Sequence, residues 1–149
     1  PGARFHFVGR LQSNKARRAA ELFQVIETID SGKIARKISE AGRSVEAMIE
    51  VKLSPEQAKS GVDPEHLAAL IEAVRALPNL DLTGLMTMPP WSEDAEQSRP
   101  YFRRLRGLAE AHGLRSLSMG MSHDFEVAIE EGATHLRVGT ALFGPRQRQ

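Results

Sequence analysis

Hydrophobic positions along the chain fall into two kinds of pattern, short apolar runs and longer segments with helical spacing. The runs predict six β-strands, at Phe5–Gly9, Val25–Ile29, Val45–Leu53, Leu82–Met88, Ser116–Met121 and His135–Val138. The helical spacing predicts five helices, at about Ser13–Phe23, Gly32–Ala41, Pro64–Ala76, Ala95–His112 and Asp124–Glu130. Strands that alternate with helices in this way predict an α/β fold built on a parallel sheet.

Single residues support several of these helix boundaries. Asp63 stands before Pro64, which is the order expected of an N-cap followed by proline at the first helical position. Gly113 and Gly132 stand where two of the helices are predicted to end, as glycine caps do.

The length of the chain bears on which parallel-sheet fold it forms. Its 149 residues suit one domain, whereas a complete (β/α)8 barrel takes about 250 residues. The alternatives are an open sheet and the last six β/α units of a TIM-type (β/α)8 barrel. The chain starts at Pro1 without Met, and a predicted strand follows almost at once. We therefore expect residues 1–149 to be a single barrel domain that lacks the first two β/α units.

Composition narrows the classes of function. A hydrophobic content of 41% is enough for a buried core, and a net charge of +1 gives no global field for nucleic acid. The absence of cysteine excludes disulfides, thiolate nucleophiles and cysteine metal sites, and it suits the cytoplasmic location that we expect. No apolar run approaches the ~20 residues that span a bilayer, so we expect no membrane segment. His66, His112 and His135 show no metal-ligand spacing with carboxylates, so we predict no metal.

Two segments near the C-terminus predict a phosphate site. Ser118–Asp124 and Arg137–Thr140 each place small residues and a hydroxyl at the end of a predicted strand, before a helix or turn. Backbone N–H groups at such places point outward, at the positive end of a helix dipole, and bind phosphate. Loops after the last two strands of a (β/α)8 barrel form its usual phosphate cup. The sequence therefore predicts a phosphate-containing ligand.

Several motifs, taken in order, resemble those of one known family. They are His6–Lys15, Thr28–Asp30, Lys59–Gly61, Gly84–Met88, Leu117–Ser122 and Arg137–Gly144. Together they closely resemble the pyridoxal-phosphate homeostasis protein family, and the resemblance covers essentially all 149 residues. Members of that family look like the barrel domain of alanine racemase and bacterial-type ornithine decarboxylase, without the second domain.

The resemblance implies a single barrel domain that holds pyridoxal 5'-phosphate at the C-terminal ends of its strands. Ser122 and Thr140 would donate hydroxyl hydrogen bonds to the phosphate, with help from the backbone N–H groups of Met121 and Gly139. Arg137 would face the pyridine nitrogen and keep it unprotonated, because a permanent cation disfavours a second positive charge nearby. An unprotonated ring is a poor electron sink, which suits a carrier of the cofactor more than an amino-acid enzyme.

One part of the family pattern is missing from this sequence. The Schiff-base lysine of the family lies on an early strand, and we expect it upstream of residue 1. The lysines present are Lys15, Lys33, Lys37, Lys52 and Lys59, and none matches that position. A barrel without its first two units would have an open seam, and exposed strand edges favour association. We expect the full-length form to be a monomer and this fragment to self-associate.

Three side chains allow more than one interpretation. Arg137 is either a surface residue or, because it alternates with its neighbours along a strand, a residue that faces the inside of the barrel; we favour the second. His6 is about as well explained by structural packing as by a place in the ligand pocket. His123 and Asp124 suggest an acid–base pair, but adjacent residues on a helix do not face one another. We therefore expect Asp124 to cap the following helix.

Three functions compete. The leading hypothesis is a protein without catalytic residues that binds pyridoxal 5'-phosphate in vitamin B6 homeostasis. The alternative is the barrel half of an amino-acid racemase or decarboxylase, which would need a tyrosine base, whereas Tyr101 is predicted on an outer helix. A lyase acting on a sugar phosphate comes last, since Glu50, Lys52 and Asp30 are its only candidate residues.

Overall fold

The computed structural model describes residues 2–56 and 60–147. Within them, six parallel strands pair in the order in which they occur along the chain. They are β1 (His6–Phe7), β2 (Val25–Ile29), β3 (Val45–Glu50), β4 (Leu80–Met86), β5 (Ser116–Met121) and β6 (His135–Arg137). The predicted parallel α/β sheet is therefore confirmed. Lys59, which belongs to one of the family motifs, lies outside the described residues.

Helices connect successive strands, as predicted. They are α1 (Ala16–Leu22), α2 (Gly32–Ser39), α3 (Pro64–Arg75), α4 (Arg99–Ala111) and α5 (Phe125–Glu130), and a short α6 (Thr140–Phe143) follows β6. The first and fourth predicted helices begin as 3-10 turns, at Ser13–Lys15 and Ala95–Ser98. No helix among the described residues is both long enough and apolar enough to cross a membrane.

The sheet is strongly curled. If six strands lay flat at their usual spacing, the first and last would be about 24 Å apart. Instead the imidazole rings of His6 on β1 and His135 on β6 have centroids 5.5 Å apart. The two edge strands, each paired on one side only, therefore approach one another across the inside of the curl.

Four strands differ from the predicted bounds: β1, β3 and β6 are shorter than the predicted Phe5–Gly9, Val45–Leu53 and His135–Val138, and β4 is shifted. Both differences in β4 have a local reason. The strand predicted at Leu82–Met88 runs from Leu80 to Met86. It begins early because Asn79 turns the chain in a left-handed conformation, with φ 68°, directly before it. It ends early because the chain runs into Pro89 and Pro90, and proline removes an N–H donor from the ladder.

The apolar core lies between the outer face of the sheet and the helices. In β3, Ala47 and Ile49 belong to that core, whereas Met48 and Glu50 lie on the opposite face, inside the curl. Buried side chains of the helices complete the core, among them Ala19, Ile38, Leu67, Ile71, Phe102 and Leu105. The inner face of the sheet is thus left to form a pocket.

Glycines at helix ends and in β5 set the chain direction near that pocket. Gly113 and Gly132 have φ of 68° and 96° just after α4 and α5, which confirms the predicted caps. Gly120 has φ 104°, and a Cβ there would lie 2.6 Å from Ala128 Cβ of α5. Only glycine therefore lets α5 pack this closely against the end of β5, directly before the loop at Ser122.

Candidate functional site

A large cavity lies at the C-terminal ends of the strands, where the two edges of the sheet approach. Its volume is about 1270 Å³, and it is lined by β1, β2 and the segments that follow β4, β5 and β6. The lining includes all six residues that the sequence predicts for the cofactor site, namely His6, Met121, Ser122, Arg137, Gly139 and Thr140. The fold therefore brings together residues that are more than 130 positions apart in the sequence.

The two loops predicted to bind phosphate meet at one end of this cavity. The Ala141 N–H donates to Ser122 Oγ over 3.0 Å, which joins the loop after β5 to the start of α6. Because Ser122 Oγ acts there as an acceptor, its hydroxyl proton can be donated to a ligand. Gly139 and Thr140 are exposed beside it, and a Cβ built on Gly139 would meet no atom within 4 Å. A ligand can therefore approach this backbone closely.

Asp124 organises the loop in a way that differs from the prediction. It occupies the N-cap position of α5, but its side chain makes no capping bond to the helix. Its carboxylate instead accepts hydrogen bonds of 2.7 Å from the Met121 N–H and from the Ser98 hydroxyl. The predicted N-cap position of Asp124 is therefore confirmed, whereas a capping bond from its side chain is absent, because the carboxylate is directed at the Met121 N–H and the Ser98 hydroxyl.

His123 and Asp124 also lie closer together than expected. His123 Nε2 is 3.3 Å from Asp124 Oδ2. The expectation that adjacent residues do not face one another holds within a helix, but both residues precede Phe125, where α5 begins. A turn at this point lets the two side chains meet.

The Arg137 guanidinium points into the curl and is held there from two sides. Nη1 donates to Ser118 Oγ over 2.7 Å, and Nη2 donates to the Thr87 carbonyl over 2.8 Å. Ser118 and Thr87 are both fully buried, so these partners are fixed. The third guanidinium nitrogen, Nε, is buried and has no hydrogen-bond partner among the described residues. A buried donor of this kind calls for an acceptor, since leaving it unpaired costs about 1–3 kcal/mol.

Burial and nearby carboxylates act on Arg137 in opposite directions. Loss of water around the guanidinium lowers the pKa of Arg137, whereas the negative charges of Glu27, Glu50 and Asp124 raise that pKa. Arginine starts from so high a pKa that the side chain stays protonated in the folded protein. The cavity thus contains a permanent cation whose charge is balanced by carboxylates around it.

His6 faces the cavity and is fixed by a buried glutamate. His6 Nδ1 lies 2.7 Å from Glu27 Oε2, and Glu27 is 2% exposed. Phe7, which follows His6 in the sequence, points the other way and packs edge-on against Phe23, with ring centroids 5.3 Å apart. Of the two interpretations of His6, the structure therefore places the imidazole in the pocket lining, while its contact with a cofactor stays a prediction.

Several residues of the site carry weaker signals in the sequence. Glu27 interrupts an otherwise apolar strand, and a charge at a buried strand position is a signal that could have identified it. Trp91, the single tryptophan, is 67% exposed in the proline-containing loop after β4, and its ring centroid is 5.9 Å from that of His123. Ser118 lies in the predicted motif, but nothing in the sequence indicates that it holds Arg137.

A possible ligand set for a metal lies away from the cavity. The ligand atoms of Asp63, Glu65 and His66 all lie within 4.8 Å of one another at the start of α3, and the three residues are exposed. The expected lack of ligand spacing between His66 and carboxylates is therefore wrong, because the start of α3 brings Asp63 and Glu65 beside His66. Exposed acidic residues at a helix start are common and indicate no metal by themselves.

Comparison with known proteins matches the whole described chain to one family. The family described as alanine racemase, N-terminal domain, matches residues 2–147. The chain is 49% identical to the pyridoxal phosphate homeostasis protein of Pseudomonas aeruginosa, over 95% of this chain and 64% of that protein. It is 45% identical to the protein of the same name from Aquifex aeolicus, over 96% of this chain and 67% of that protein. The chain thus spans about two thirds of the length of these curated relatives.

Solved structures agree with these sequence matches. PipY of Synechococcus elongatus, solved without pyridoxal phosphate, is 39% identical and superposes with a TM-score of 0.88, over 97% of this chain and 72% of that one. The same protein with pyridoxal phosphate bound gives a TM-score of 0.84. Alanine racemase of Corynebacterium glutamicum, at 20% identity, gives a TM-score of 0.73 over 97% of this chain and 42% of that one. The curled sheet is therefore related in fold to the alanine racemase barrel.

Proposed function

The chain belongs to the alanine racemase N-terminal domain family and, within it, to the pyridoxal phosphate homeostasis proteins, and we propose that it binds pyridoxal 5'-phosphate in the cavity at the strand ends. Its role would be to hold the cofactor for vitamin B6 homeostasis, without a catalytic residue of its own. The observation that carries the proposal is the buried Nε of Arg137, for which residues 2–56 and 60–147 offer no hydrogen-bond partner.

The Arg137 donor fits the pyridine ring of the cofactor. A pyridine nitrogen has one lone pair in the plane of the ring, and it accepts a hydrogen bond only while it is unprotonated. Ser118 and Thr87 each accept one N–H of the two Nη nitrogens, whereas the single Nε–H has no partner among the described residues, so we assign Nε to this acceptor. The fixed positive charge also disfavours protonation of the nitrogen. Arg137 would therefore orient the ring and keep it a poor electron sink.

The loops after β5 and β6 supply the phosphate end of the site. We assign the phosphate to the hydroxyls of Ser122 and Thr140 and to the backbone N–H of Gly139, which lie together at the mouth of the cavity. Hydrogen bonds from such donors to a charged phosphate are the strong kind. The role of the Met121 N–H stays a prediction, and Asp124 competes for that same donor.

The remaining lining agrees with binding rather than catalysis. When bound, the cofactor supplies an aldehyde and an electron-withdrawing ring, and the protein supplies orientation and charge. Tyr101 lies on α4 and packs against the outer core, so it offers no general base at the strand ends. None of the described lysines lines the cavity. We propose that none of Lys15, Lys33, Lys37 and Lys52 is the Schiff-base lysine, and that the six strands correspond to the last six of an eight-stranded barrel.

The test is calorimetric titration of the 149-residue protein with pyridoxal 5'-phosphate and with pyridoxal, which lacks the phosphate. Thr140→Val should weaken binding of the phosphorylated form by about 1–3 kcal/mol, because one hydrogen bond to a charged group is lost. Thr83→Val is the matched control, since Thr83 Oγ1 is buried without a hydrogen-bond partner among the described residues and lies outside the cavity lining. The control should bind as the parent protein does.

Two results would contradict this proposal. Equal affinity for pyridoxal and pyridoxal 5'-phosphate would show that the loops after β5 and β6 do not bind the phosphate. Equal losses of affinity in the Thr140 and Thr83 variants would show that the Thr140 effect is not local. Racemase or decarboxylase turnover by the purified protein loaded with cofactor would instead favour the alternative, the barrel half of an enzyme.

A further inference from the structure

Three motifs that play no part in the phosphate site meet at a second cavity. This cavity has a volume of about 530 Å³ and lies where β1, β2 and β3 end. Residues 10–13 line it after β1, Thr28 and Asp30 line it from β2, and Glu50 and Ser60 line it from β3 and the segment beyond. These segments are far apart in the sequence, so the fold itself assembles the cavity.

Two carboxylates give the cavity an acidic side. Glu50 is 1% exposed, and its Oε2 accepts a hydrogen bond of 2.9 Å from the Ser60 hydroxyl. Asp30 is half-buried, and its Oδ2 accepts a hydrogen bond of 3.1 Å from the Gly61 N–H. These contacts fix the direction of both side chains. A carboxylate accepts up to about four hydrogen bonds, so Asp30 keeps the capacity to bind a ligand donor.

A cation and two aliphatic side chains also line the cavity, beside the polar side chains of Gln12, Ser13 and Thr28. Arg10 is exposed, and across residues 2–56 and 60–147 its side chain forms neither an ion pair nor a hydrogen bond. It lines the same cavity as Asp30 and Glu50 without pairing with either. Leu11 and Ile34, each 8% exposed, supply an apolar wall. The cavity thus combines a guanidinium and two carboxylates with neutral polar side chains and two aliphatic ones.

We propose that this second cavity binds a free α-amino acid with an aliphatic side chain. The ammonium group would lie against Asp30 and Glu50, and the carboxylate would pair with Arg10 in the two-pronged geometry that guanidinium favours. The aliphatic side chain would contact Leu11 and Ile34. Cavities of about 300–1000 Å³ are the usual size of small-molecule sites.

The experiment titrates the protein, free of added cofactor, with three related probes. They are L-leucine, 3-methylbutylamine, which lacks the carboxylate, and 4-methylpentanoate, which lacks the amine. Binding is followed by calorimetry and by amide shifts in ¹H–¹⁵N spectra. L-Leucine should saturate and shift amides at residues 10–13, 28–34, 50–56 and 60–61. Each analogue should bind at least about tenfold more weakly, because it loses one charged contact.

Variants assign the two charged sides separately. Arg10→Gln and Asp30→Asn should each weaken L-leucine binding by about tenfold or more. Asparagine can still accept the Gly61 N–H, and Arg10 is exposed, so both variants should fold. Arg17→Gln, an exposed arginine on α1 outside this cavity, is the matched control and should bind as the parent does.

Three outcomes would overturn the inference. They are no saturable binding of L-leucine up to about 10 mM, equal binding of either analogue, or the same loss in the Arg17 control as in the Arg10 variant. Binding of pyridoxal 5'-phosphate is measured separately in the same variants and should not change. If L-leucine does not bind but pyridoxal 5'-phosphate does, the inference fails and the proposed function stands. If L-leucine binds but pyridoxal 5'-phosphate does not, the proposed function fails and the inference stands.

Discussion

Gly120 is the position where one added methyl group should disturb both the fold and the site. Alanine there would place its Cβ 2.6 Å from Ala128 Cβ and 3.0 Å from Leu136 Cδ2. The Ala128 atom belongs to a fixed helix, so it cannot move aside as the end of a long side chain would. The backbone also has φ 104°, which a residue with a Cβ rarely adopts.

The size of the effect follows from these two terms. The unusual backbone conformation costs about 1–3 kcal/mol, and overpacking of a close contact costs about another 1–3 kcal/mol. Gly120→Ala should therefore lower the free energy of unfolding by about 2–6 kcal/mol. For a protein of this size, that corresponds to a decrease in Tm of roughly 4–24 °C. Ser122 follows two residues later, so cofactor affinity should decrease as well.

Gly107→Ala is the matched control. Gly107 is exposed on α4, and a Cβ there would meet no atom within 4 Å. Alanine favours a helix more than glycine does, so this variant should gain about 0.5–1 kcal/mol. Urea unfolding followed by circular dichroism measures both variants. A Gly120→Ala protein as stable as the parent would refute the close packing of α5 against β5.

Three further predictions concern charge, the Arg137 support and the core. Arg103 donates a hydrogen bond to Glu131 and holds the pKa of that carboxyl below its ordinary value of 4.5. The pair therefore stabilises the fold fully above the unfolded-state pKa of Glu131, and this stabilisation is lost as pH falls through the lower folded-state pKa. Glu131→Gln should therefore flatten the acid limb of a stability–pH curve, and an unchanged limb would exclude this pair. Ser118→Ala leaves a buried Arg137 donor unpaired and should weaken cofactor binding by about 1–3 kcal/mol in a calorimetric titration. Unchanged affinity would show that Arg137 does not contact the cofactor. Phe102→Ala, at a fully buried position, should cost about 3–5 kcal/mol in urea unfolding, and a loss under 1 kcal/mol would contradict its core position.

The order and direction of the strands could be predicted from the sequence because each strand is a short apolar run followed by a helical one. The runs Val25–Ile29 and Ser116–Met121 match the observed strands residue for residue. Boundaries failed where a backbone conformation decided them, as at Asn79 before β4. The sequence alone does not distinguish an asparagine in a left-handed conformation from an asparagine in any other loop conformation.

Placement of the candidate site residues depended on motif rather than on periodicity. Arg137 was expected to face inward because side chains alternate along a strand, and the structure has it there. Its contacts with Ser118 and Thr87 could not be predicted, since they depend on how three neighbouring strands align. The same holds for Asp124, whose partner Ser98 is 26 residues away in the chain.

The most direct test is a crystal structure of this chain with pyridoxal 5'-phosphate. We expect the phosphate within about 2.7–3.2 Å of Ser122 Oγ and Thr140 Oγ1, and the pyridine nitrogen at the same distance from Arg137 Nε. That arrangement would establish both ends of the proposed site. A phosphate bound elsewhere, or a ring nitrogen turned away from Arg137, would contradict the account.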